Sequence, residues 1–139
     1  MTKRYIGTNI IHAKPMTLGQ YNEYRGWKIP ENEDPNKAGY LVIYSDMYES
    51  WSPADVFEEA YIETDEMNFG LASEAMRRGN RCFRGKWNKN HNRKHIELVE
   101  PDSVSEMTEP YFLINVNGTT FPWTPLAEDL LAVDWCILD

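Results

Sequence analysis

Asn117 and Gly118 stand between two β-rich runs, Tyr111 to Val116 and Thr119 to Trp123. Both residues tolerate the positive φ that a two-residue hairpin loop demands, so this dipeptide predicts a tight turn. A tight turn also sets register: Val116 pairs with Thr119, Ile114 with Phe121 and Phe112 with Trp123. Those side chains then share one face of the hairpin, and Leu113, Asn115, Thr120 and Pro122 take the other. Thr124-Pro125 predicts the start of a helix that turns Leu126, Leu130 and Val133 inward and ends on Trp135.

A similar unit is written upstream. Tyr40 to Tyr44 and Tyr48 to Trp51 predict a hairpin around Ser45-Asp46-Met47. Ser52 then reads as an N-cap with Pro53 at the first helical position, and Val56, Phe57 and Ala60 as the buried side of the helix. Further landmarks recur in the same order. Met16-Thr17-Leu18-Gly19 answers Met67-Asn68-Phe69-Gly70, each opening a helix. Arg25-Gly26-Trp27 answers Arg84-Gly85-Lys86-Trp87, and Trp51-Ser52-Pro53 answers Trp123-Thr124-Pro125. The pattern predicts a small α+β protein with a twisted antiparallel sheet and packed helices. A degenerate duplication of a β-hairpin–helix unit would explain the repeat.

The remaining elements are read locally. Lys3 to Ile11 predicts an opening strand. Thr17 caps a helix with Leu18, Tyr21 and Tyr24 on its apolar side and Gly26 as its stop. Asn68 caps another, with Phe69, Ala72 and Met76 on one stripe and Gly79 as the stop. Asn80 to Arg84 and Ile96 to Val99 complete the strands. The divide falls in the acidic stretch after Tyr61, giving residues 1–64 as an N-terminal hairpin–helix module and residues 65–139 as a second domain. With 139 residues in total, halves of this size bury little apolar surface alone, and 13% aromatic content is more than one small core hides. Both facts predict self-association.

Charge narrows the partners. A net charge of −8 argues against a protein that coats nucleic acid. Yet eight of the fourteen basic residues fall between Arg77 and Lys94, with no Asp or Glu among them. Such a run is a solvated face or a local anion site, and the second suits a small phosphorylated ligand better than a long duplex. No stretch approaches the ~18 apolar residues of a membrane span. The start of the chain lacks the apolar core of a signal peptide. Cys82 and Cys136 have neither metal-binding nor CxxC spacing, which suggests reduced thiols in a cytoplasm.

Catalytic constellations are poor. His12, His91 and His95 are scattered, and no nucleophile elbow, zinc-protease helix or phosphate-binding glycine loop is present. Asp129 and Asp134 read as solvated carboxylates on the last helix. No metal and no cofactor is implied. A binding site is easier to build, although core packing is the ordinary fate of a tryptophan. Trp87 lies beside Arg84, Lys86 and Asn88, where little apolar sequence is available to bury it. An aromatic next to cations is what base stacking with phosphate pairing needs.

Two segments carry a family resemblance: "MNFGLASEAMRRGNRCFRGKWN" and "YFLINVNGTTFPWTPLAEDLLAVDW". From Met67 to about Ile137 the chain resembles the Thoeris anti-defence type-two family of phage proteins. The resemblance implies a sponge that binds cyclic ADP-ribose-type signals made by host TIR-domain enzymes and holds them without degrading them. Some relatives also capture cyclic dinucleotides, and the family's pockets lie between subunits of a homo-oligomer. Carried onto this sequence, the ligand site would comprise Trp87 with Asn88, Trp123 with Thr124, and Asp134 with Trp135, joined by the cations Arg84 and Lys86. Where the family usually writes Gly-Trp-Asn-Gly, this chain has Gly85-Lys86-Trp87-Asn88-Lys89. Residues 65–139 would then be the ligand-binding domain, and the N-terminal half resembles a leader segment found before such domains.

The residues and the resemblance together predict a non-enzymatic sponge for a small cyclic nucleotide, working in the host bacterial cytoplasm. They predict no nucleic-acid polymer and no membrane as partner. A rival of another class is a protein–protein adaptor or inhibitor of a host defence enzyme, with the acidic surface as its working part. Phosphoester hydrolysis is a third reading, with only the histidines behind it.

Overall fold

Thr17 satisfies the start of the first helix as its sequence predicts. Its side chain accepts from the Gln20 N–H at 3.2 Å, and the Gln20 side chain accepts from the Thr17 N–H at 2.9 Å. This reciprocal cap opens α1, Leu18–Arg25, which Gly26 closes in the left-handed region at φ 73°. The computed structural model of the chain describes residues 1–90 and 93–139, except for the side chains of residues 88–90. The described residues form two units, Met1–Ile62 and Glu63–Asp139. Together they hold four α-helices and two antiparallel sheets, of three and five strands, an α+β architecture.

In the first unit β1 (His12–Pro15) pairs with β2 (Gly39–Ile43), and β2 pairs with β3 (Glu49–Pro53). The predicted strand over Lys3 to Ile11 is not formed: residues 1–11 have no regular structure, and pairing begins where His12 meets Ile43. Pro15 ends β1 at a sheet edge, where a missing N–H is tolerated. The second hairpin strand includes Ser52 and Pro53, so α2 (Ala54–Ala60) starts later than predicted, with Pro53 as an N-cap that supplies no side-chain bond. None of its residues is buried, and Val56 is exposed. Phe57 is held instead by stacking on Tyr40 at 4.2 Å and Tyr61 at 5.1 Å.

In the second unit the Asn68 side chain caps α3, Phe69–Arg77, accepting from the Leu71 N–H at 2.9 Å. Ala72, Ala75 and Met76 are its buried stripe. The strands are β4 (Arg81–Arg84), β5 (Lys94–Val99), β6 (Tyr111–Val116), β7 (Thr119–Trp123) and β8 (Trp135–Leu138), in spatial order β7-β6-β5-β4-β8. The predicted hairpin register holds at Val116–Thr119, Ile114–Phe121 and Phe112–Trp123. Asn117 and Gly118 make the turn at φ 52° and 93°, the doubly positive pair that a type I′ loop requires. Continuing the register across the sheet puts Phe112, Ile96, Cys82, Arg84 and Trp135 on the same face as Trp123. That face meets α3: the Cys82 Sγ lies 3.7 Å from the Ala72 carbonyl, and burial pushes the Cys82 thiol up to about 12.

The end of the chain departs from expectation. Trp135 does not finish a helix; it opens β8, which pairs with β4. Helix α4 is only Ala127–Leu131 and starts after Leu126, not at Thr124-Pro125. Its predicted inward residues face out: Leu126 is 66% exposed, Leu130 49% and Val133 70%. Asp129 is the buried residue instead. The outer edge of β8 is covered by the chain entering the unit. Met67 and Trp135 exchange N–H···O bonds at 3.0 Å, and the Ile137 N–H donates to the Thr64 carbonyl at 2.9 Å. An open strand edge is thereby closed off from further pairing.

The three upstream landmarks do not all keep their places. Trp51 and Trp123 both lie in the second strand of a hairpin that precedes a helix. Arg25, however, ends a helix and Arg84 ends a strand. Trp51 braces the first sheet. Its Nε1–H donates to the Met16 carbonyl at 2.7 Å, and its ring lies over Gly39. A Cβ on Gly39 would sit 2.2 Å from that ring and 2.5 Å from the Ser52 carbonyl oxygen. Gly39→Ala is therefore expected to cost about 1–3 kcal/mol through overpacking. A urea titration followed by circular dichroism checks it, and an unchanged midpoint would show that the indole can move aside.

Candidate functional site

The aromatic residues of the second unit converge although they come from separate elements. Strands neighbour each other at about 4.8 Å, so a flat sheet would hold β7 and β8, at opposite edges, about 19 Å apart. The Trp123 and Trp135 ring centres are nevertheless 6.1 Å apart. The sheet must coil, with both indoles reaching inward over its concave face. Phe69, the first residue of α3, lies 5.4 Å from Trp135 and 5.9 Å from Phe112. Trp87 completes the group from the 3-10 turn Gly85–Asn90, edge-on to Trp135 at 5.5 Å and to Trp123 at 6.4 Å.

These rings differ in what they can offer. Trp135 is fully buried, and its Nε1–H is spent on the Asp129 carbonyl at 2.9 Å. Trp87 and Trp123 are half-buried and keep accessible surface. The expectation that Trp87 lacks an apolar neighbourhood fails, because its neighbours are remote in sequence: β7 and β8 bring them.

An ionic cluster lies behind the rings. Arg84, on the core face of β4, is 7% exposed. Its Nη1 donates to Asp129 at 2.9 Å, and its Nε donates to Asp134. Its guanidinium also lies 5.8 Å from the Trp135 ring centre. Asp129 and Asp134 are thus not the solvated helix pair that the sequence suggests. The second oxygen of Asp129 accepts from the Leu126 N–H at 2.9 Å and fixes the start of α4. Asp134 likewise fixes the turn that carries Trp87: its side chain accepts from the Lys86 N–H at 3.1 Å and its carbonyl from the Gly85 N–H at 2.8 Å. Partial burial works to raise the Asp134 pKa, but the hydrogen bonds from Arg84 and the Lys86 backbone outweigh it and hold the carboxyl below its ordinary value.

Lys86 sends its Nζ 2.9 Å from Glu128 on α4, a pair that holds the Glu128 carboxyl low. Thr124 is exposed just beyond Trp123. The structure therefore brings Arg84, Lys86, Trp87, Trp123, Asp134 and Trp135 together, with Thr124 next in the chain. The Asn88 side chain and the part of the basic run at His91 and Asn92 lie outside the described residues. Asp129, Glu128 and Phe69 belong to the arrangement but were missed. Only the pattern Glu-Asp at the start of a helix, facing a basic run, hinted at the two carboxylates. Among the described residues no group of three or more His, Cys, Asp and Glu side chains is placed to hold a metal. A shallow groove of about 340 Å³, lined by residues such as Ile11, Tyr44 and Tyr48, belongs to the first unit and includes none of the predicted site residues.

The Thoeris anti-defense 2-like domain family matches residues 67–138, spanning α3, the coiled sheet and all three clustered tryptophans. The chain belongs to this family. Membership implies a role in countering the Thoeris defence. No curated protein matches the chain. Among the described residues no helix is long and apolar enough to cross a membrane.

Arg84→Ala would leave Asp129 charged and buried without its partner, so it is expected to destabilise the unit by about 3–5 kcal/mol. Lys86→Ala removes only an exposed pair and is expected to shift the midpoint far less. Urea melts of the two variants test the contrast. The same melts report on Asp134. Its folded pKa lies below its unfolded one, so its contribution is present at neutral pH and is lost as pH falls through the depressed value. Asp134→Asn should therefore flatten the acid limb of stability below the ordinary aspartate range, and an acid limb identical to the wild type would contradict the assignment.

Proposed function

We propose that this Thoeris anti-defence protein is a phage sponge: it binds a cyclic nucleotide immune signal in the host bacterial cytoplasm and holds it without degrading it. The ligand class is cyclic ADP-ribose or a related cyclic nucleotide, including cyclic dinucleotides. The observation that carries this reading is the meeting of Trp87 and Trp123, half-buried, with Lys86 on a rigid base of Trp135, Arg84, Asp129 and Asp134. Flat rings with accessible surface suit base stacking, and a lysine at the rim suits a phosphate. Asn88 and Thr124 supply polar contacts in this reading. Arg84 acts from behind, because its buried guanidinium is already engaged by two carboxylates.

The second wall of the site is supplied by another copy of the chain. Supporting this is the apolar surface beside the cluster, where Leu126, Leu130, Leu131 and Val133 are exposed on and around α4. The same surface would serve a protein partner if the chain were an adaptor or inhibitor of a host enzyme. Residues 1–64 act as a separate N-terminal module and residues 65–139 as the ligand-binding domain.

One experiment separates the readings. The protein is incubated with cyclic ADP-ribose or a cyclic dinucleotide, washed free of excess and denatured by heat. A sponge releases the intact ligand, a hydrolase releases product and an adaptor releases nothing. Stacking is worth about 1–3 kcal/mol per base, so Trp87→Ala is expected to weaken binding by about 10–100-fold. Calorimetric titration measures it, with circular dichroism to show that the variant is folded. Unchanged affinity would move the site away from this turn.

A further inference from the structure

The charged groups around the tryptophans are of two kinds. Arg84 is enclosed between Asp129 and Asp134, and surrendering it to a ligand would strand a buried carboxylate. Lys86 is 44% exposed on its side chain, and its partner Glu128 is 60% exposed. Exposed ion pairs are weak, equivalent to at most about fivefold in an equilibrium constant, so this ammonium can change partner.

Glu128 is nevertheless kept close. Asp129, next to it, is pinned by Arg84 and by the Leu126 N–H, so the first turn of α4 stays where it is. Lys86 is pinned from the other side, its N–H held by Asp134. An anion approaching past Trp87 therefore meets a lysine that already has a carboxylate on it. We propose that Glu128 is a specificity-determining residue, an internal competitor that occupies Lys86 until a phosphate-bearing ligand displaces it. This inference rests on the ligand-binding reading above.

The chemistry favours such a filter. A carboxylate offers one negative charge, whereas the bridging pyrophosphate of an ADP-ribose-type ligand offers more charge and more acceptor oxygens. Releasing Glu128 from Lys86 costs the same whichever anion arrives, so an ion with one charge and few acceptor oxygens gains too little to take its place. The pairing with Lys86 also holds the Glu128 carboxyl below its ordinary range, so the competitor is charged throughout neutral pH.

The test is a double-mutant cycle on the full chain, read by calorimetric titration with inorganic pyrophosphate at low salt. Glu128→Gln should bind about two- to fivefold more tightly than the wild type. Lys86→Gln should bind more weakly, and the gain from Glu128→Gln should shrink by at least half in the Lys86→Gln background. Equal gains in both backgrounds would reduce Glu128 to general repulsion and overturn the proposal. So would unchanged or weaker binding by Glu128→Gln, or a wild type that does not respond to pyrophosphate. Cyclic ADP-ribose is titrated in parallel. If pyrophosphate behaves as expected and no cyclic nucleotide binds, the nucleotide reading fails while the role of Glu128 stands.

Discussion

The burial of one guanidinium organises the second unit. Arg84 lies on the core face of a central strand, where an unpaired charge would be prohibitive. Two carboxylates answer it, and each brings a piece of structure with it. Asp129 draws the short helix α4 onto the sheet and leaves Glu128 and the leucines outside. Asp134 lies immediately before β8 and ties that strand's start to the turn carrying Trp87. Trp87 and Trp135 are therefore positioned by an ion cluster that neither belongs to, and Trp123 reaches them from β7. The Trp135 indole, bonded to the Asp129 carbonyl, joins the two systems.

This division of labour gives the candidate site its character. The floor is rigid, because Trp135, Arg84 and Asp129 are buried and mutually satisfied. The rim is adaptable, because Trp87 and Trp123 keep free surface and Lys86 is held only by an exposed pair. In the proposed reading, a preorganised floor lowers the ordering cost of binding, and a releasable cation supplies charge to an arriving anion. Lys86 stands on this rim beside Trp87, and in the proposed reading it meets a phosphate there.

Much of the local structure was legible in the sequence. The Asn117-Gly118 turn set the hairpin register, because a two-residue loop leaves no freedom to slip. Thr17 and Asn68 announced their helices through side-chain oxygens that meet the free N–H groups. What failed was long-range. Trp135 reads locally as the end of a helix, yet its partner across the strand pair is Arg84, far upstream. The Leu126, Leu130 and Val133 spacing looks like an inward stripe, but a five-residue helix is oriented by whichever single contact is strongest. Here that contact is ionic. Likewise Lys3 to Ile11 has strand-like residues but forms no strand, while His12–Pro15 pairs because Gly39–Ile43 is there to receive it. The site residues Trp87, Trp123 and Trp135 could be named from the sequence, but their meeting could not, since it depends on the coil of the sheet.

The central claim is that a cyclic nucleotide binds on this tryptophan cluster. The chain has five tryptophans, with Trp27 and Trp51 in the first unit and the other three in the second. Two-dimensional NMR of the five indole N–H resonances during addition of cyclic ADP-ribose, and then of a cyclic dinucleotide, reads each ring separately. The account predicts that one of these ligands moves the Trp87 and Trp123 resonances in a saturable way and leaves Trp27 and Trp51 in place. Saturable shifts confined to Trp27 or Trp51, or no shift at Trp87 and Trp123 with either ligand, would contradict it.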